Sequence, residues 1–87
     1  MPAEYYLTLV YDDVPYTRYY SNKEDLMDSA AYATCFKGDD GELQQIIIHC
    51  GDEGFVQYAG WRPDMRFVFV DICGSVVWDK CYPEFEY

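Results

Sequence analysis

The sequence predicts an α+β fold: a mainly antiparallel β-sheet with one helix packed on one face, in the order β-β-α-β-β-β-β. Three observations carry this expectation. Short stretches rich in Tyr, Val, Ile and Phe alternate with turn residues along the chain. A single stretch, SNKEDLMDSAAYATCF, repeats its apolar residues at helical spacing. The length, 87 residues, fits one domain (1–87) with one core.

The first strand is EYYLTLVY (4–11). Alternation places Tyr5, Leu7, Leu9 and Tyr11 on one face, and Tyr6, Thr8 and Val10 on the other. DDVP then supplies a turn, with aspartates that can bond their own backbone and a proline of preset φ. YTRYY (16–20) returns as the second strand of a hairpin. In it Tyr19 and Tyr20, being adjacent, must face opposite ways. The helix (21–36) opens with Ser21 and, three residues on, Glu24, the pattern of a capping box. Asp25 and Asp28 lie early, where the helix dipole favours negative charge. Leu26, Met27, Ala30, Ala31 and Thr34 form the stripe expected to meet the sheet, and Gly38 is the stop signal.

After a turn at 39–41, ELQQIIIHC (42–50) is a strand whose three consecutive isoleucines suggest burial on both faces. GDEG (51–54) is a hairpin connection and FVQYAGW (55–61) the return strand. RPD (62–64) breaks it, since proline cannot donate to a central ladder. MRFVFVDIC (65–73) is the most apolar strand and is expected to be central. Gly74 turns the chain into SVVWDKCY (75–82), and Pro83 begins the tail PEFEY.

Composition narrows the function classes. Sixteen acids oppose six bases, giving a formal net charge of −10. Self-repulsion of that size destabilises a small fold. The six bases are scattered, which argues against direct binding of nucleic acid and against anionic membranes. MPAEYY carries no basic or apolar leader, so a cytoplasmic setting is expected. Reduced thiols are then the expected state of Cys35, Cys50, Cys73 and Cys81, each read as a small buried apolar residue. Their spacing lacks the close pairs of a zinc site, and no metal or other cofactor is expected.

No catalytic constellation stands out. His49 and Cys50 are adjacent in a strand and point to opposite faces, which separates a thiol from its base. The acid pairs sit at expected turns or at the helix start, where solvation and capping explain them and burial does not raise a carboxyl pKa. We expect no enzyme.

What remains is surface. Ten of the residues are tyrosine, which offers rigid contact area with a polar tip and is enriched at interfaces. Tyr5, Tyr11 and Tyr58 are expected partly in the core, and Tyr16, Tyr19, Tyr20, Tyr82 and Tyr87 toward a partner. Asp12, Asp13, Asp39, Asp40, Glu42, Asp52, Glu53, Glu84 and Glu86 are the carboxylates expected to join them. If the hairpins lie side by side, the turn acids come together and imitate a row of phosphates. The other sheet face is expected to carry aromatics and acids alike.

The acid pairs in YDDV, GDDGE and GDEG, and the helix SNKEDLMDSAAYA between hairpins, give a whole-chain profile of composition and element order. It resembles small phage-encoded inhibitors of host defence, notably anti-CRISPR proteins. The resemblance implies a stoichiometric inhibitor in the host cytoplasm. It would block the nucleic-acid-binding groove of a Cas effector or another basic protein. An immunity protein or antitoxin that neutralises a basic nuclease fits the same charge. So does an assembly protein that pairs through strand edges, a route that also leaves a homodimer open.

Overall fold

Two aspartates close the first hairpin. Asp12 and Asp13 have φ of 51° and 67°, the pair of positive values that a two-residue type I′ loop requires and that Asp tolerates better than most residues. Because this loop needs only two residues, Val14 and Pro15 are not part of the turn, as the sequence suggested. They begin β2 (Val14–Tyr20), which pairs with β1 (Tyr5–Tyr11). Pro15 is tolerated there because β2 is an edge strand.

The computed structural model describes residues 4–36, 43–59 and 65–84. After β2 the chain enters α1 (Lys23–Phe36), then β3 (Leu43–Cys50). A 3-10 turn (Gly51–Glu53) leads to β4 (Phe55–Tyr58), followed by β5 (Arg66–Asp71) and β6 (Val76–Cys81). All six strands form one antiparallel sheet in the spatial order β2-β1-β3-β4-β5-β6. This is the fold class and element order that the sequence predicts. Gly38, the turn at 39–41 and the break at 62–64 lie outside the described residues.

The most apolar strand is not central. β5 is next to the edge, since four strands precede it in the sheet and only β6 lies beyond it, and the middle of the sheet is β3 and β4. The apolarity of β5 serves one face: Phe67 and Phe69 are fully buried, while Arg66 is exposed.

The helix start also differs from expectation. Asn22, not Ser21, is the cap: its Oδ1 accepts the Asp25 backbone N–H at 2.8 Å, and its Nδ2 donates to Asp25 Oδ2 at 3.2 Å. A cap bonds the N–H three residues on, so a helix beginning at Lys23 selects Asn22 and Asp25. The expected stripe is there. Leu26, Met27, Ala30 and Ala31 are fully buried against Leu7, Ile48, Cys50, Val56, Phe67 and Phe69. Burial of side chains such as Leu26 and Met27 contributes about 1.5–3 kcal/mol each.

The sheet curls around this helix. Tyr82, just past β6, donates its hydroxyl to Asp28 at 2.6 Å. Asp28 also lines a groove with Arg18 and Tyr20 of β2, at the other edge of the sheet. Both edges therefore approach one helical turn, leaving a concave face that is largely covered and a convex face with nothing on it among the described residues. No helix among these residues is long and apolar enough to cross a membrane.

Candidate protein-binding surface

Strand alternation assigns every side chain of the sheet to the helix side or the open side, and register then decides which of them become neighbours. On the open side Tyr6 stands opposite Tyr19 of β2 and His49 of β3, and His49 stands opposite Phe55 of β4. The four rings form a continuous ladder across four strands. Tyr19 and Tyr6 are tilted with centroids 5.8 Å apart. Tyr6 and His49 stack at 4.7 Å with planes within 5°. Phe55 meets His49 edge-on at 5.3 Å. A backbone anchor orders the centre, since His49 Nδ1 lies 3.2 Å from the Glu4 carbonyl. The ends are open: Tyr19 is 67% exposed and Phe55 54%.

The rest of this face, from β2 to β4, is neutral. It carries Val10 and Thr8 of β1, Pro15 and Thr17 of β2, Gln45 and Ile47 of β3, and Gln57 of β4. The two threonine hydroxyls bond each other at 2.9 Å. Ile47 is half-buried here while Ile46 and Ile48 face the helix, so the isoleucine run does serve both faces. The expectation of acids on this face is corrected: these strands contribute none to it, and the open-side carboxylate of β6, Asp79, is paired with Arg66 at 2.8 Å. A carboxylate on a strand face would have to give up water to neighbouring rings, whereas turns leave it solvated.

The turn acids do not gather into one row. Asp12 and Asp13 lie beyond one end of β1. Asp52 and Glu53 lie beyond the other, a seven-residue strand away, or roughly 20 Å at about 3.4 Å per residue. Glu53 is also engaged: it accepts the Cys50 thiol at 3.4 Å and pairs with Lys23 at 3.5 Å. Glu84 is exposed after β6. Asp39, Asp40, Glu42, Glu86 and Tyr87 lie outside the described residues. Among the described residues Glu4, Asp12, Asp13, Asp52 and Glu84 are carboxylates that form no ion pair with another described residue.

The tyrosines divide by face. Tyr19 is on the ladder. Tyr16 is exposed on the helix side, with its ring 6.0 Å from that of Tyr11. Tyr20 packs against the core and its hydroxyl is buried, so it is not presented to a partner. Tyr82 corrects its expectation outright. It is 1% exposed, donates to Asp28, and accepts Trp78 Nε1–H at 2.8 Å. Burial, reinforced by Asp28, pushes its hydroxyl pKa well above the ordinary tyrosine range. The curl of the sheet brings this residue inward, and no local pattern announces that.

The thiols split as well. Cys50 is buried, and burial with the Glu53 carboxylate pushes its pKa up to about 12. Cys73 and Cys81 are exposed, against the expectation of buried apolar residues; Cys73 sits in the turn after β5 and Cys81 on the open side of an edge strand, where no second layer covers them among the described residues. The side chain of Cys35 lies outside the description. Sequence reasoning missed Tyr6, His49 and Phe55 as a group. The available signal was an aromatic at the open-side position of three strands, visible only once the register is known.

Comparison of the chain with protein-family models, with curated proteins and with solved structures finds no match.

Proposed function

We propose that this protein is a non-catalytic, stoichiometric inhibitor that docks its open sheet face on a basic, nucleic-acid-binding surface of another protein. The observation that carries the reading is the open-ended four-ring ladder in a chain of net charge −10. Rings supply contact area at low entropic cost. The summed negative potential attracts a basic surface and speeds encounter. The exposed carboxylates at the strand ends add to that field without having to be desolvated. A Cas effector of the host is the partner that the anti-CRISPR resemblance implies.

The test is affinity capture from host lysate with the full chain, followed by titration of the purified partner at ~50 and ~200 mM salt, where screening weakens steering and attraction. The expected partner is a basic protein that loses its nucleic acid when bound, with affinity falling steeply with salt and falling again in Tyr6→Ala. Salt-independent binding, or binding that leaves nucleic acid in place, overturns the reading. Capture of a nuclease toxin in place of a defence complex would make the protein an immunity protein or antitoxin.

A further inference from the structure

The ladder has two kinds of ring, and the difference specifies a ligand. Its middle pair is closed. Tyr6 and His49 lie parallel at 4.7 Å, so each covers a face of the other, and both are only partly exposed. Its end rings are open, Tyr19 at 67% and Phe55 at 54%. They stand on β2 and β4, three inter-strand steps apart along the order Tyr19, Tyr6, His49, Phe55. At about 4.8 Å per step that is roughly 14 Å.

An open aromatic face in a negative field attracts a cation, and a guanidinium fits best: it is planar, weakly hydrated and stacks on rings. Two carboxylates stand close by. Glu4 is exposed and precedes β1 by one residue, in the same alternation as Tyr6, and Asp52 is exposed in the turn that delivers Phe55. Neither pairs with a cation among the described residues. A single-stranded nucleic acid also stacks on sheet aromatics, but its phosphates would meet a chain of charge −10. A second copy would bring the same charge.

We propose that Tyr19 and Phe55 form a two-point clamp for two arginine side chains of one extended protein segment. In an extended chain, roughly 14 Å is four residues at about 3.4 Å each, and an even separation keeps both side chains on one side. The ligand is therefore an Arg-x-x-x-Arg strand lying across the ladder, with its intervening residues over the stacked pair. This inference rests on the basic-partner reading and adds the geometry to it.

The test is fluorescence-anisotropy titration of the full chain with four labelled β-prone peptides of equal length. One carries arginines four apart, one carries them adjacent, one carries lysines four apart, and one carries neutral citrullines. The four-apart arginine peptide is expected to bind at least tenfold tighter than the adjacent one, and the lysine peptide to fall between them. Tyr19→Ala or Phe55→Ala should bring the four-apart peptide down to the adjacent-arginine level, while Tyr32→Ala, on the helix, leaves it unchanged. Circular dichroism checks that each variant keeps its fold. Equal binding of the two arginine peptides overturns the clamp and leaves the basic-partner reading standing. Failure of every cationic peptide to bind better than citrulline overturns both.

Discussion

The two faces of the sheet use the same kind of residue to opposite ends. On the helix side, Phe67, Phe69 and Tyr82 are sealed beneath Leu26, Met27 and the two alanines of α1. On the open side, Tyr19, Tyr6, His49 and Phe55 touch mainly one another. The covered rings draw their free energy from lost contact with water and from close packing. The open rings keep much of their hydration cost, which binding a partner would recover. Aromatic content alone therefore says little about where a core lies. Polar tips make the same contrast: Tyr82 is satisfied inside by Asp28 and Trp78, while the neutral open face leaves its surroundings to solvent.

The sharpest way to break this comparison is to truncate one ring on each face. Phe67→Ala should cost about 3–5 kcal/mol, because it empties a fully buried site. Tyr19→Ala, on an exposed edge, should fall within the ~0.5 kcal/mol expected of a surface change. Urea unfolding of both variants measures the difference, and equal losses would mean that the open face is covered in solution. A smaller effect is expected from Tyr82→Phe, which keeps the ring but removes the donor to Asp28 and the acceptor of Trp78 Nε1–H. The groups left behind are only part-buried, and Asp28 keeps its ion pair with Lys80, so the cost falls at the lower end of the range of about 1–3 kcal/mol for an unmatched polar group. Thermal denaturation should register this, and an unchanged midpoint would make the network incidental.

Cys50 gives the finest contrast. Its folded pKa is raised from the ordinary 9.0 to about 12, so folding favours the neutral thiol. The corresponding stability is fully present below pH 9 and is lost as pH rises from about 9 through about 12. The Cys50→Ala variant should show a shallower alkaline loss than the parent. At neutral pH, peptide mapping after a thiol reagent should find Cys73 modified quickly and Cys50 only on unfolding. Equal rates would place Cys50 outside the core.

Much of this was legible in local pattern. The apolar stripe of α1 followed from spacing, and the opposite faces of Tyr19 and Tyr20 followed from the period of a strand. The cap moved by one residue because Ser21 and Asn22 are both competent and the helix start chooses between them. The centre of the sheet was misjudged because apolarity reports how well one face is covered as readily as a strand's place in the order. Asp12–Asp13 and Asp52–Glu53 do lie at turns and Glu24–Asp25 at the helix start, but the distance between the turn pairs depends on strand length and direction, which set Asp12–Asp13 and Asp52–Glu53 at opposite ends.

By itself the sequence determined the element order, the negative charge and which residues share a face within each strand, because these depend on neighbours a few positions away. Tertiary structure alone decided that Tyr19, Tyr6, His49 and Phe55 form one ladder, and that Tyr82 closes the core. Both depend on backbone pairing and sheet curvature between segments tens of residues apart. That pairing is set by the sum of many hydrogen bonds and packed contacts, and no single stretch of the chain contains it.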